Sequence, residues 1–310
     1  MPALLVRRIT VKRSSYVLAF LIALVISPAA FAQQDFSKVE IKATKVAGAV
    51  YMLEGSGGNI GVSVGPDGIL IVDDQFAPLA DKIRAALKAL GDGKLKFVLN
   101  THYHGDHTGG NAKFGPEAPI IAHDNVRKRL AQENKVLGQV VPASPREALP
   151  VITFDQSLSV FFNGEEIRSI HFPHGHTDGD SVIFFTGSNV VHMGDDFFAG
   201  KFPFVDIDNG GDVENLAKNV ADILGRLPAG VKIIPGHGPL STPDDLKLFH
   251  RMLVETTDIV RKQIAAGKTL DQIKLSGLPE EWKSWGTGFI KTPQWLELIY
   301  QGLSKRPAAK

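Results

Sequence analysis

From Asn100 to Asn111 the chain reads Asn-Thr-His-Tyr-His-Gly-Asp-His-Thr-Gly-Gly-Asn, which puts His102, His104, Asp106 and His107 within six consecutive positions. Such a density of metal-ligating side chains is hard to explain by packing alone. Residues two apart on a helix point away from each other, so His102 and His104 can share one ion only from a strand end or a loop, which the following glycines favour. Asp106 and His107 then face a different point, and two ions become possible. The chain has no cysteine, which excludes thiolate zinc sites, iron–sulfur clusters and cysteine nucleophiles. Neutral imidazoles and a carboxylate without thiolate suit zinc best, with iron or manganese as weaker options.

The surrounding elements must hold that segment. The apolar run Phe97–Leu99 reads as a buried strand leading directly into it. Val46–Leu53, Asn59–Val64 and Ile69–Val72 read as earlier strands, with turns at Gly55, Gly57, Gly58 and Gly65-Pro66-Asp67-Gly68. Leu79, Ile83, Leu87 and Leu90 share one helical face over Pro78–Leu90. Ile120–Ala122 gives a strand and Asn125–Glu133 a charged helix. A second series follows: strands at Ile167–Phe172, Val182–Phe185 and Val190–His192, a helix over Val213–Leu227, and the strand Val231–Ile234. Two strand-then-helix halves predict two sheets face to face with helices outside. Pro243–Gln263 and Pro293–Gly302 read as helices over one flank.

Arg7, Arg8, Lys12 and Arg13 precede an apolar run from Tyr16 to Ile26, and Ala30-Phe31-Ala32 follows as a small-x-small cleavage site. This pattern predicts an export signal, residues 1–32, and a periplasmic or secreted chain with no stable membrane anchor. Residues 33–310 then form a single domain with a C-terminal helical extension from about residue 241. Of the whole chain's 34 basic and 33 acidic residues, the signal takes four basic ones, leaving a net charge of −3. That balance speaks against a nucleic-acid partner, and the expected partner is a small-molecule substrate.

The His-x-His-x-Asp-His motif is that of the metallo-beta-lactamase superfamily, and from about Val46 to Leu240 the chain resembles that family in motif order and spacing. The resemblance implies an α/β (α+β) fold, a four-layer αββα sandwich. Asp73 matches the family's acidic residue that orients the metal loop. Gly175-His176-Thr177-Asp178-Gly179-Asp180 matches the third motif, which makes His176 the third ligand beside His102 and His104. Gly194-Asp195 matches the fourth, where an aspartate bridges both metals, and Pro235-Gly236-His237-Gly238 matches the fifth, where His237 joins Asp106 and His107.

A dinuclear zinc site of this kind implies hydrolysis by a hydroxide held between the ions, with Asp106 carrying the departing proton. An aspartate at position 195 resembles the lactonases, glyoxalase II type thioesterases, phosphodiesterases and sulfatases rather than the β-lactamases, whereas export is what an antibiotic-degrading enzyme needs. Glyoxalase II is disfavoured because its thiol substrate is chiefly cytosolic. The expected reaction is hydrolysis of a lactone, ester or cyclic amide such as a β-lactam. A phosphodiesterase or sulfatase, and a non-catalytic metal-binding accessory protein, are the alternatives. Lys201 and His174 are candidate substrate contacts, and Phe197, Phe198, Phe202 and Phe204 are pocket walls or core. His171 and His192 read as structural, as do Trp282 and Trp285, and Asp74 and Asp180 as holders of imidazole N–H groups.

Overall fold

The computed structural model describes residues 35–304; the predicted export signal lies outside them. Six strands open the fold: β1 (Lys42–Ala47), β2 (Val50–Glu54), β3 (Ile60–Gly65), β4 (Gly68–Val72), β5 (Leu95–Leu99) and β6 (Ile120–His123). After a hairpin of β7 (Asn134–Val136) and β8 (Gln139–Val141), β9 (Ile152–Phe154) completes a seven-stranded sheet in the order β1-β2-β3-β4-β5-β6-β9. The second sheet runs in sequence order through β10 (Ser157–Phe162), β11 (Glu165–His171), β12 (Ser181–Phe185), β13 (Val190–His192) and β14 (Lys232–Ile234).

Period-two alternation sorts each strand's apolar residues to two faces. Leu70, Val72, Leu99 and Ile121 of the first sheet pack against Phe162, Ile167, Ile183, Phe185 and Ile234 of the second. The intervening Ile69 and Ile71 point the other way, onto Ile83 and Leu87 of α1 (Ala80–Leu90). The rest of the first half carries three short helices, α2 (Gly105–Thr108), α3 (Asn111–Phe114) and α4 (Asp124–Leu130). On the outer face of the second sheet, Val182, Val191 and Ile233 meet Leu216 and Val220 of α5 (Val213–Arg226) and Phe249 and Leu253 of α6 (Pro243–Ala265). The layers therefore run helix, sheet, sheet, helix, as the strand-then-helix halves imply.

α6 starts at a capping box in which Thr242 and Asp245 exchange side-chain and backbone hydrogen bonds. It continues into α7 (Leu270–Ser276), α8 (Glu280–Lys283) and α9 (Thr292–Ser304). Trp282, Trp285 and Trp295 are buried among these helices, and the Trp295 indole donates to Thr256 Oγ1 at 3.0 Å. Trp282 and Trp285 are thus core residues.

The expected strand Val46–Leu53 is instead two. Gly48 turns the chain at φ 49°, and Ala47 pairs with Val50 across a two-residue turn. Segment 152–162 carries β9 and β10, which the sequence reading leaves blank. β9 is too short to show a period, and β10 exposes every second residue, Phe161 among them at 80%.

Candidate metal centre

The site sits where strands end. Asp73 follows β4, residues 101–104 follow β5, Asp195 follows β13 and His237 follows β14, and both β4–β5 and β13–β14 are parallel pairs. Parallel neighbours leave the sheet at one edge, so four loops from two sheets converge there. The loop carrying His176 enters antiparallel β12 from the same side. His102 and His104 lie in the non-helical stretch before α2, as their spacing demands, and Asp106 and His107 lie on that single helical turn.

Two groups of donor atoms result. His102, His104, His176 and Asp195 form one, and Asp106, His107 and His237 the other; within each, the ligand atoms lie within 4.8 Å of one another. Asp195 faces both. Its Oδ2 stands 3.4 Å from His176 Nε2 and 3.7 Å from His102 Nε2, while its Oδ1 stands 3.0 Å from His107 Nε2 and 3.4 Å from His237 Nε2. His237 Nε2 lies 3.3 Å from Asp106 Oδ2, and His104 Nδ1 lies 2.8 Å from His176 Nε2. Donors bound at ~2.1 Å to a tetrahedral ion stand ~3.4 Å apart, so these separations fit a cation in each group. Buried His102 Nε2 and Asp195 Oδ1 make no hydrogen bond, which an uncompensated interior does not tolerate cheaply. The residues present therefore fit a divalent metal of zinc's character.

Each imidazole is aimed by its other nitrogen. His107 Nδ1 donates to Asp73 Oδ2 at 2.8 Å, and His176 Nδ1 donates to the Phe204 carbonyl at 2.7 Å. His102 Nδ1 donates to Thr101 Oγ1 at 3.0 Å, and that hydroxyl donates to Asp73 Oδ2 at 2.8 Å. Asp73 is fully buried, with φ at 66°. Such a backbone conformation costs a non-glycine residue on the order of 1 kcal/mol or more, and here it points one carboxylate at His107 directly and at His102 through Thr101. His104 Nε2 donates to Asp206 Oδ2 at 2.9 Å, and the same oxygen accepts from Tyr103 Oη at 2.5 Å. Asp206, Thr101 and the Phe204 carbonyl are the supports that sequence reasoning missed. For Asp206 the only hint is its turn context, Asp206-Ile207-Asp208-Asn209-Gly210, and nothing in the spacing ties it to His104.

Charge and burial sort the protonation states. Burial alone would raise Asp106, but His107 and a hydrogen bond from His237 outweigh it and hold the carboxyl at about 2. Burial likewise loses at Asp195, where His107, His237 and His176 keep it well below the usual carboxylate range. Burial pushes His176 down to about 4 and His102 well below its ordinary value, with the charge on His107 adding to the latter. Ionised carboxylates and neutral imidazoles are the forms that bind metals. At His237 burial is outweighed by Asp195 and Asp106, which raise it to about 9, and His107 is raised for similar reasons. Those two rings hold protons that a bound cation displaces.

The remaining candidates fall elsewhere. Lys201 Nζ donates to Thr287 Oγ1 at 2.5 Å, in the segment between α8 and α9. His174 is exposed and donates from Nδ1 to the Gly210 carbonyl at 3.0 Å. Asp74 and Asp180 do not hold imidazoles. Asp74 Oδ1 accepts from the Gly110 backbone and Asp180 Oδ2 from the Thr177 backbone, because both sit below loops whose N–H groups need acceptors. His192 is satisfied at both nitrogens, by Asn59 and Gly194, and His171 stacks on His123 at 3.6 Å. Of the four phenylalanines, Phe198 stacks on His237 at 4.9 Å and Phe204 lies 5.6 Å from His104, walling the site. Phe197 and Phe202 pack instead on Phe249 and Trp295.

The chain is similar to several known proteins. A hydroxyacylglutathione hydrolase of Gloeobacter violaceus is 30% identical over 166 residues, covering 51% of this chain and 57% of that protein. The alpha subunit of a 2,4-dinitroanisole O-demethylase of Nocardioides sp. is 30% identical over 139 residues, covering 44% of this chain and 40% of its own. The chain thus spans about half the length of these curated relatives. Among solved structures, a metallo-beta-lactamase from Pontibacter korlensis superposes with a TM-score of 0.59 at 15% identity, over 69% of this chain and 99% of its own. A stereoselective inverting sec-alkylsulfatase, Pisa1 from Pseudomonas sp., reaches a TM-score of 0.63 at 14% identity, over 84% of this chain and 50% of its own. At such identity the likeness is one of fold. The sequence model of the metallo-beta-lactamase superfamily matches residues 45–241, the span that carries every one of these donor atoms, and the chain belongs to that superfamily.

Proposed function

We propose that this protein is an exported, zinc-dependent hydrolase of a carbonyl substrate: a lactone, an ester, or a cyclic amide such as a β-lactam. The observation that supports this most directly is the Asp195 carboxylate, which presents one oxygen to each donor group. In this reading His102, His104 and His176 hold one zinc ion, Asp106, His107 and His237 a second, and Asp195 both. Bound zinc supplies an ionised water near neutral pH and polarises a carbonyl oxygen.

The chain's own residues do the rest. Asp73, Thr101, Asp206 and the Phe204 carbonyl fix the imidazole tautomers, so no ring reorganises during turnover. Asp106, about a third exposed and ionised at neutral pH, is the donor-group carboxylate nearest solvent. It accepts the nucleophile's proton and returns it to the departing oxygen or nitrogen. Phe198 and Phe204 exclude water from one side of the site.

A thioester is the second reading, favoured by the hydroxyacylglutathione hydrolases among the relatives; a sulfate ester is the third, favoured by the sec-alkylsulfatase fold. Initial rates on an acyl lactone, a β-lactam, an acyl thioester and an alkyl sulfate, with zinc-loaded protein and a chelator control, test all three. Chelator-sensitive turnover of the lactone or β-lactam is the expected result. Turnover confined to the thioester or sulfate replaces the carbonyl ester and amide assignment, and no turnover on any of them favours a phosphodiester substrate or the accessory-protein alternative.

A further inference from the structure

A cavity lies on the outer face of the second sheet, at the end opposite the metal-binding groups. The donor loops leave β13 and β14 at their C-terminal ends, whereas this cavity, about 370 Å³, is lined by Asn189 and Val190 at the start of β13, Val231 just before β14, and Pro228 beyond α5.

Strand register explains its character. Directly paired residues share a face, so one row crosses the sheet through Ser159, Arg168, Phe184, Val191 and Ile233. α5 and α6 cover only the far end. Ile233 and Val191 are 0% and 1% exposed, Phe184 is half-buried and Arg168 is exposed. An apolar floor therefore emerges from beneath the helices and ends at a guanidinium. Among the described residues no acidic group pairs with Arg168. The neighbouring acids are engaged: Glu166 accepts from Ser159 Oγ at 2.6 Å, and Asp222 pairs with Arg226 at 2.6 Å. Arg226, on the opposite rim, lays its guanidinium over the Phe172 ring at 5.3 Å.

From this juxtaposition of a half-covered apolar floor and an unpaired arginine, we infer that the cavity binds the anionic head and alkyl chain of a medium-chain carboxylic acid. The carboxylate meets Arg168 in a two-pronged contact, and the chain lies over Phe184, Ile170 and Val191 toward the helices. The site is independent of the catalytic reading, since none of its lining residues belongs to a donor group.

Calorimetric titration with decanoate, below its micellar concentration, tests it. A carboxylate can also reach the metal centre, so the titration is run on zinc-loaded protein and again after chelation. Expected are saturable one-to-one binding that survives chelation, and a loss of at least about tenfold in affinity for Arg168→Glu and for decanol in place of decanoate. Arg168 is exposed and unpaired, so Arg168→Gln serves as a second variant with an intact fold, and the same loss is expected. The inference is overturned if binding vanishes with the metal, if both variants bind as the parent does, if decyltrimethylammonium binds equally well, or if sedimentation shows a second copy of the chain covering this face.

Discussion

Asp206 Oδ2 receives the Nε2 proton of His104 at 2.9 Å, on the side of the ring away from His176, so His104 can offer only Nδ1 to a metal. The carboxylate is itself pinned by Tyr103 Oη and by Asn209 Nδ2, the latter at 2.9 Å. Asn209 in turn accepts from Arg129 at 2.9 Å. Removing a partner that orients a ligating imidazole generally costs about 10- to 100-fold in metal affinity. Asp206→Ala is expected to fall in that range, measured by competition with a chromophoric chelator. Affinity equal to the parent's would remove Asp206 from the site's support.

Asp106 offers a separate test of chemistry against structure. In Asp106→Asn the side chain keeps its shape and loses its capacity to carry a proton. Because Asp106 is held ionised down to about pH 2, the parent works with the carboxylate throughout the neutral range. We expect kcat to fall by orders of magnitude with an unchanged circular dichroism spectrum, and equal rates would refute the assigned role.

The ligand residues were legible because the constraint on them is local in sequence: three imidazoles and a carboxylate after a buried strand, then short motifs in a known order. The layering was legible because runs such as Ile69–Val72 send alternate residues to two cores. Asp206 was not, since it meets His104 across more than a hundred residues of chain and its tie depends on how α4, β7 and the 204–211 segment pack. Asp74 and Asp180 misled for a related reason. A carboxylate near a ligand in sequence can serve an imidazole or a loop backbone, and only the three-dimensional path of the loop distinguishes them.

His123 and His171 stack at 3.6 Å, nearly parallel, between the ends of β6 and β11. Burial and then the neighbouring His171 push His123 down to about 4, and burial lowers His171 as well. Both folded values lie below the ordinary histidine value, so the unfolded chain takes up protons first and stability falls as pH drops below about 6.5. His123 Nδ1 also accepts from the Asn125 backbone as the cap of α4, a task that asparagine performs well. His123→Asn is therefore expected to flatten the decline of Tm between pH 7 and 4.5 relative to the parent. A parallel decline in both proteins would assign acid sensitivity to other groups.

Gly58 shows how closely the first sheet's turn approaches the centre. A Cβ built on it stands 2.1 Å from His107 Cε1 and 2.5 Å from Nε2, and the ring cannot swing away because Asp73 holds Nδ1 at 2.8 Å. The Gly58 backbone is fixed as well, its N–H donating to the Asp106 carbonyl at 3.0 Å and its own carbonyl accepting from Gln75 Nε2 at 2.7 Å. Overpacking of this kind costs about 1–3 kcal/mol, which a folded domain survives but a positioned ligand does not. Gly58→Ala should thus fold, lose metal from the group of Asp106, His107 and His237, and keep it in the group of His102, His104 and His176. Metal content by mass spectrometry, taken alongside the melting temperature, checks this. Full metal content in a folded variant would show that the Gly55–Gly58 turn yields instead, and that His107 is held more firmly than the turn that covers it.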